Sequence, residues 1–319
     1  MEQMFSHRLR QVLSTVLGHP EQLQEIRLRA GQPLLIRYKN RECGVDPGGR
    51  LTERMTDAFK ATARDVKETL DCLCQYSLYA YADEMRQGFL TVKGGHRIGI
   101  AGQVVIEEGQ IKSIRYVSSL NIRIAHQIPG CGAKVLPRLF NENGLCHTLI
   151  IAPPGCGKTT ILRDIVRLLS WGGQLEGVGR IPGMTVGVVD ERSEIGACYQ
   201  GLPQNDLGPR TDVMDNCPKV VGMMRLVRTM APQVIAVDEI GGEGDMAAVE
   251  EAMNCGCRMI ATIHGRNMEE VRKRLGMEAG QEMPFEKYVL LPDNKEFDRA
   301  PQVMTEEGRS RISGRYLCG

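Results

Sequence analysis

Residues 147–160, which read HTLIIAPPGCGKTT, constrain the fold more than any other segment of the chain. An apolar run is followed by Gly155 and Gly157 and then by Lys-Thr-Thr. Glycines allow positive φ angles, so successive backbone N–H groups can point at phosphate oxygens, and a helix start adds partial positive charge. The segment therefore predicts a buried strand, a phosphate-binding loop (P-loop, Walker A) and a helix.

Eight consecutive residues of this loop are expected to bind ATP, namely Pro153, Pro154, Gly155, Cys156, Gly157, Lys158, Thr159 and Thr160. Lys158 is expected to reach the β- and γ-phosphates, and Thr159 to place its hydroxyl on Mg²⁺. Ala152 departs from the usual motif, because it stands where the first glycine is expected. Since alanine is small and this position only shapes the approach to the turn, we still predict binding of ATP and Mg²⁺.

A second motif supports a nucleotide site. Residues 234–239 read VIAVDE, an apolar strand that ends in two carboxylates. This is the Walker B pattern, in which Asp238 would hold Mg²⁺ and Glu239 would orient or deprotonate the attacking water. Both motifs belong to one series of alternating strands and helices, so the combination predicts ATP hydrolysis rather than binding alone.

The first part of the chain has the pattern of an α+β domain. Helical periodicity covers residues 3–17, and residues 64–85 favour one long helix or two short ones. Alternating apolar and polar residues predict strands at 26–30, 34–38, 89–92, 97–106, 111–117 and 121–124. The Gly-rich residues 43–50 indicate a loop. We expect an N-terminal α+β domain with an antiparallel sheet over residues 1–128.

In the rest of the chain, apolar strands alternate with helices, which predicts a mostly parallel sheet covered on both faces. The predicted strands are residues 147–151, 185–189, 234–237 and 258–263. The predicted helices are residues 159–169, 220–230 and 245–254. The Gly- and Pro-rich segments 171–183 and 199–218 are expected to be loops. This α/β domain is expected to occupy residues 129–319.

Composition narrows the function classes. The chain has 40 Lys and Arg against 39 Asp and Glu, a balance that argues against a protein that coats nucleic acid. An aromatic content of 5% supplies few rings for stacking on bases. The 11 cysteines show no metal-ligand spacing, so we expect reduced thiols in the cytoplasm. No run reaches the roughly 18 apolar residues of a membrane-spanning helix, so membrane contact would come through a partner.

Three further segments carry a family resemblance, namely 187–194 (GVVDERSE), 223–240 (MMRLVRTMAPQVIAVDEI) and 261–265 (ATIHG). With them, the C-terminal half resembles the secretion ATPases of type II and type IV systems, a branch of the RecA-like, AAA-related P-loop ATPases. Strings such as VVDERSEI, NDLGPRTDV and GHRIGIAG extend the match to nearly the whole chain. Over that length the chain is similar to a family of sporulation proteins of endospore-forming bacteria.

The resemblance implies a RecA-like ATPase domain and roles for residues outside the two nucleotide motifs. Residues 187–194 and 261–265 take the places of the family's Asp box and His box, so His264 would sense the γ-phosphate. Arginines that complete the site would come from Arg115 of the N-terminal domain and from Arg225 and Arg228 on the C-terminal side.

Two departures from the secretion-ATPase pattern leave the catalytic base open. The Asp box has Asp190 followed by Glu191, where the family has Glu-Asp, and Asp238 stands where the family often has Gly before Glu239. We expect Glu239 to activate water, with Glu191 as the alternative. Asp190 could instead order the Mg²⁺ shell.

On this resemblance we expect a homo-oligomeric ring, usually a hexamer, that acts as a cytoplasmic ATPase motor. The motor would energise a membrane-spanning, secretion-like channel during endospore formation and would attach to the membrane through integral membrane proteins. The alternative is a RecA-like nucleic-acid translocase or helicase, which the near-neutral charge disfavours; nucleic acid is therefore not an expected partner. A non-enzymatic, nucleotide-dependent scaffold is disfavoured by the intact Lys158, Thr159, Asp238 and Glu239.

Overall fold

The computed structural model describes residues 1–86, 88–242, 244–277, 282–292, 300–305 and 308–311. The chain forms two compact units, Met1–His126 and Gln127–Gly319. Each unit is built on a sheet of its own. None of the helices in the described residues has the length and apolar character that crossing a bilayer would need.

The N-terminal unit contains a seven-stranded antiparallel sheet, in the order β4-β3-β2-β1-β7-β6-β5. The strands are β1 (Leu23–Arg29), β2 (Leu35–Tyr38), β3 (Arg41–Val45), β4 (Leu51–Thr52), β5 (Phe89–Val92), β6 (His96–Glu107) and β7 (Gln110–Arg123). The α-helices are α1 (His7–Leu17), α2 (Ala63–Leu73) and α3 (Ala82–Arg86), and short 3₁₀ helices span Glu2–Met4, Pro20–Gln22 and Leu78–Tyr81. The predicted α+β architecture with an antiparallel sheet is confirmed.

Two local predictions for this unit are wrong. Residues 111–117 and 121–124 belong to the single strand β7, which bulges at Tyr116, where φ is 46°, and has a second register shift near Lys112. The facing Gly102 accommodates this bulge, because a Cβ there would lie 2.8 Å from the carbonyl oxygen of Arg115. The predicted loop at 43–50 begins inside β3, whose residues Cys43 and Val45 are buried.

The C-terminal unit contains an eight-stranded, mostly parallel sheet, in the order β14-β13-β15-β16-β10-β17-β18-β19. Its strands are β10 (Thr148–Ala152), β13 (Val186–Asp190), β14 (Thr211–Asp215), β15 (Val234–Val237), β16 (Arg258–His264), β17 (Lys287–Leu290), β18 (Gln302–Thr305) and β19 (Gly308–Arg311). The small strands β8 (Phe140–Asn141), β9 (Gly144–Leu145), β11 (Gly173–Leu175) and β12 (Gly179–Ile181) form two separate hairpins. The helices are α4 (Lys158–Trp171), α5 (Lys219–Met230), α6 (Asp245–Asn254) and α7 (Met268–Arg274), and a 3₁₀ helix spans Leu136–Leu139.

Helices cover both faces of this sheet, as the continuous apolar strands predict. Ile150 faces one core cluster with Ile161 and Ile165 of α4, whereas its neighbour Leu149 faces the other cluster with Val249 of α6. Successive residues of a strand point to opposite faces, so a strand buried on both sides must be apolar throughout. The predicted α/β fold with a mostly parallel sheet is confirmed.

The prediction that residues 199–218 form a loop is wrong for strand β14. This strand pairs in parallel with β13 and extends the sheet by one edge strand, with Asp190 opposite Asp215. Its sequence, TDVMD, carries two carboxylates, because an edge strand is covered less completely than the central ones. The predicted loop at 171–183 contains the β11–β12 hairpin.

Gly222 allows α5 to approach β13 closely. A Cβ at this buried position would lie 2.5 Å from Cγ1 of Val189 and 3.3 Å from the sulfur of Cys217. We predict that Gly222→Ala destabilises the protein by about 1–3 kcal/mol through overpacking, although alanine favours a helix by about 1 kcal/mol. Urea unfolding of Gly222→Ala and of the exposed neighbour variant Val221→Ala would test this. An unchanged or higher unfolding free energy for Gly222→Ala would contradict the close packing.

Candidate active site

The predicted site residues of the C-terminal unit meet where parallel strands end. Strands β10, β13, β15 and β16 run in parallel, so their carboxyl ends lie along one edge of the sheet. Ligands bind at this edge in open α/β sheets. The phosphate loop follows β10, Asp238 and Glu239 follow β15, and His264 ends β16 in register with Ala152.

The phosphate loop has the backbone geometry that its sequence predicts. Gly155 and Gly157 have φ angles of 75° and 83°, and α4 begins directly after Gly157. Ala152 is the last residue of β10 and is buried, so it packs inside the sheet instead of shaping the turn. Left-handed glycines and a helix N-terminus fit a phosphate group, because both direct backbone N–H groups towards one point.

Lys158 is buried, with only 5% of its surface exposed, and it donates three hydrogen bonds. Its Nζ lies 3.1 Å from the carbonyl oxygens of Ala152 and Pro153 and 2.8 Å from Nδ1 of His264. Burial lowers the pKa of Lys158, while the carboxylates of Asp238 and Glu239 act in the opposite direction. The acceptors of the ammonium group and the acidic edge of the site both favour its charged form.

His264 connects the phosphate loop to the Walker B segment. An ammonium group can only donate, so Nδ1 of His264 accepts from Lys158 and Nε2 is the ring nitrogen that carries a hydrogen. This Nε2 donates to Oε1 of Glu239 at 2.7 Å. The structure therefore brings Lys158, His264 and Glu239 together in a continuous chain of two hydrogen bonds.

Asp238 lies between two threonine hydroxyls. Thr159 donates to Oδ2 at 2.6 Å, and the hydroxyl of the buried Thr262 donates to Oδ1. Thr262 also accepts the backbone N–H of Glu239 at 2.9 Å. The adjacent hydroxyl of Thr159 and carboxylate of Asp238 fit Mg²⁺, which prefers a few protein oxygens together with water and phosphate ligands.

Glu239 has a left-handed backbone, with φ of 54°, although it is not glycine. Such a conformation costs free energy and persists only when its surroundings hold it. Its carboxylate is held from two sides, by His264 on Oε1 and by Nη1 of Arg192 at 2.5 Å on Oε2. Glu191, the alternative base, instead forms an ion pair with Lys219 at the start of α5.

The contacts of Asp190 are with the backbone of its own segment, and its suggested role in ordering a Mg²⁺ shell stays a prediction. Asp190 is buried, and its two oxygens accept the backbone N–H groups of Glu194, Ile195 and Gly196 at 2.7–2.9 Å. Burial raises the pKa of Asp190 to about 6, and these hydrogen bonds act in the opposite direction. Asp190 therefore organises the turn that follows β13.

The two predicted arginines of the C-terminal unit, Arg225 and Arg228, do not gather around these side chains. Arg225 and Arg228 are exposed on α5, which begins at Lys219 near the site and leads away from it. At a rise of about 1.5 Å per residue, the two arginines lie about 9 and 14 Å from Lys219 along the helix axis. Arg115 is exposed on β7 of the N-terminal unit, opposite Gln103. Their action on a nucleotide held by a neighbouring subunit stays a prediction.

Comparison with known proteins identifies the family. The model of the family "Sporulation stage III, protein AA" matches residues 1–311. The chain belongs to this family. It is 37% identical over 306 residues to stage III sporulation protein AA of Bacillus subtilis strain 168, a match that covers 94% of each chain. The resemblance to a sporulation family seen in the sequence is confirmed.

Solved structures agree with the fold assignment of this family member. The ATPase DotB of Yersinia pseudotuberculosis is similar, with a TM-score of 0.59 at 12% identity over 95% of this chain and 80% of that one. The pilus retraction motor PilT, solved with bound ADP, is similar, with a TM-score of 0.53 at 13% identity over 88% of this chain and 77% of that one. The resemblance to secretion ATPases is confirmed at the level of the fold.

Sequence reasoning missed three residues that this family member uses to build the site, namely Thr262, Arg192 and Lys219. Thr262 and Arg192 lie inside the ATIHG and DERSE segments, so closer attention to every polar residue of these segments would have found them. Lys219 has no local signal, because its role depends on where α5 begins in space.

We predict that Thr262→Val, which preserves the shape of the side chain, destabilises the protein by about 1–3 kcal/mol. The change removes a donor to Asp238 and an acceptor for the Glu239 N–H in a buried position. Chemical unfolding would measure the loss. Thr229→Val on the exposed part of α5 is the matched control and is expected to change stability by less than about 0.5 kcal/mol. Equal effects of the two substitutions would contradict the described role of Thr262.

Proposed function

We propose that this chain is a Mg²⁺-dependent ATPase that acts as a motor for a membrane-spanning, secretion-like channel during endospore formation. The observation that carries the proposal is the contact between its two nucleotide motifs. Thr159 of the phosphate loop helix lies 2.6 Å from Asp238, and Glu239 beside it is oriented by His264, which also binds Lys158. The residues proposed to bind phosphate, to hold Mg²⁺ and to act as the base are thus adjacent.

The residues present can perform the parts that phosphoryl transfer to water requires. The loop amides and Lys158 would bind the phosphates, and Thr159 and Asp238 would hold Mg²⁺, which neutralises phosphate charge when bound. Lys158 needs only to exchange one of its three acceptors for a phosphate oxygen. Glu239 would accept the proton of the attacking water, with its carboxylate held in place by His264.

The motor part of the proposal rests on relatives. The sequence of a sporulation protein is similar over 94% of this chain. An ATPase and a pilus retraction motor have a similar fold. We propose a homo-oligomeric ring, a hexamer, in which Arg115, Arg225 and Arg228 reach the nucleotide of a neighbouring subunit. Integral membrane proteins of the channel would hold this ring at the cytoplasmic side of the membrane.

We predict that Lys158→Ala loses more than about 100-fold in ATPase activity and binds ATP weakly, because the phosphates lose their main cationic partner. Lys134→Ala, which removes an exposed lysine of the same unit, is the control and is expected to behave as wild type. Wild-type turnover by Lys158→Ala would refute the ATPase assignment. Strong stimulation of the wild-type protein by DNA or RNA would favour the translocase alternative.

We further predict that Glu239→Gln binds ATP but hydrolyses it about 10²–10⁴-fold more slowly, because glutamine cannot accept the proton of water. Glu191→Gln should retain much more activity, since Glu239, and not Glu191, is linked through His264 to the lysine of the phosphate loop. Single-turnover hydrolysis by the two variants measures the difference. The reverse order would assign the role of base to Glu191.

A further inference from the structure

Arg192 stands out among the charged residues near the site, because two buried charged side chains hold the turn that carries it. Its own side chain is 60% exposed and pairs with Glu239, which is 22% exposed. An ion pair with this exposure contributes little to stability. The small contribution of this ion pair to stability therefore does not explain the many hydrogen bonds that hold the surrounding turn.

The turn that carries Arg192 is held through its N–H groups by one buried carboxylate. The carboxylate of Asp190 accepts hydrogen bonds from the backbone N–H groups of Glu194, Ile195 and Gly196. Ser193, which has a left-handed φ of 54°, accepts the backbone N–H of Cys198 at 3.0 Å. The backbone that follows Arg192 is thus fixed by side chains of its own segment.

The carbonyl groups of the same turn are held by a second buried charge. Nε of Arg163 donates to the carbonyl oxygen of Ile195 at 2.9 Å, and its Nη2 donates to that of Glu194 at 2.5 Å. Arg163 lies on α4, the helix whose first residue is Lys158. Helix α4 is therefore hydrogen-bonded to the turn through Arg163, and Arg192 of the same turn donates to Glu239.

Burying two charges is costly unless they are well paired, and replacing them by apolar residues is often harmless to stability. Arg163 is only 9% exposed and Asp190 only 1%. Here the two buried charges hold the backbone of the turn that carries the exposed Arg192. Meanwhile Glu191, the carboxylate next to Arg192 in the chain, is paired with Lys219 and leaves Arg192 to Glu239.

We propose that Arg192 is a positioning residue for ATP hydrolysis, holding the Glu239 carboxylate against His264 from a turn that Arg163 and Asp190 keep rigid. The inference rests on the proposed function, because it assigns Glu239 the role of base. With one oxygen held by His264 and the other by Arg192, the carboxylate has a single orientation. Displacing a reacting group by about 1 Å can cost about 10²-fold in rate.

The test compares wild type with Arg192→Ala, Arg192→Lys and the control Arg180→Ala, which removes an exposed arginine of strand β12. We expect Arg192→Ala to lower kcat by about 10–100-fold, with KM unchanged within about threefold. Affinities for ADP and for a non-hydrolysable ATP analogue, measured by calorimetry, should be unchanged, as should the melting temperature. Arg192→Lys should recover part of kcat, and the control should behave as wild type.

The link through Arg163 is tested by a conservative change, because Arg163→Ala could unfold the protein. Arg163→Lys keeps the charge but loses one of the two donors to the turn. We expect it to lower kcat with KM unchanged, and to add little to the loss in an Arg192→Ala, Arg163→Lys double variant. Fully additive losses would overturn the proposed coupling between α4 and Arg192.

Failure of the inference can be told from failure of the proposed function. An active wild-type protein with an equally active Arg192→Ala would overturn the positioning role and leave the ATPase assignment intact. A raised KM with unchanged kcat, or analogue binding weakened by about 10-fold, would make Arg192 a nucleotide contact and would also overturn it. A wild-type protein that neither binds nor hydrolyses ATP would refute both.

Discussion

The parallel pairing of β10 with β16 is the constraint on which the rest of the site depends. This pairing places Ala152 opposite His264, so the residues that follow one strand meet the last residue of the other. Lys158 can then reach both the carbonyl of Ala152 and the ring of His264. Without this register, Glu239 would lose its link through His264 to the lysine of the phosphate loop.

The buried charged side chains along this edge of the sheet have backbone groups as their hydrogen-bond partners. The buried ammonium of Lys158 and the buried guanidinium of Arg163 both have backbone carbonyl acceptors, and the buried carboxylate of Asp190 has backbone N–H donors. Each buried charge therefore fixes a stretch of backbone. The exposed charges, Arg192 and Glu191, take their partners from the geometry that the buried ones create.

The parts of the fold that follow from local pattern were predicted well, and the parts that depend on edges and bulges were not. The central strands are buried on both faces, so their continuous apolar residues make them recognisable in the sequence. Strand β14 carries Asp212 and Asp215 because it lies at an edge, so its sequence resembles a loop. Strand β7 is predicted as two strands because the bulge at Tyr116 breaks the alternation of its residues.

Residue types at fixed spacing were enough to predict the phosphate loop, the Walker B carboxylates, the class of each half of the chain and the family resemblance. The partner of each charge, by contrast, follows from the three-dimensional packing of the chain. Glu191 and Glu239 carry the same signal, a carboxylate at the end of an apolar strand. Their contacts differ because the start of α5 brings Lys219 to one, and the turn held by Arg163 brings Arg192 to the other. Such pairing depends on separations of a few ångströms between distant segments, which no local pattern encodes.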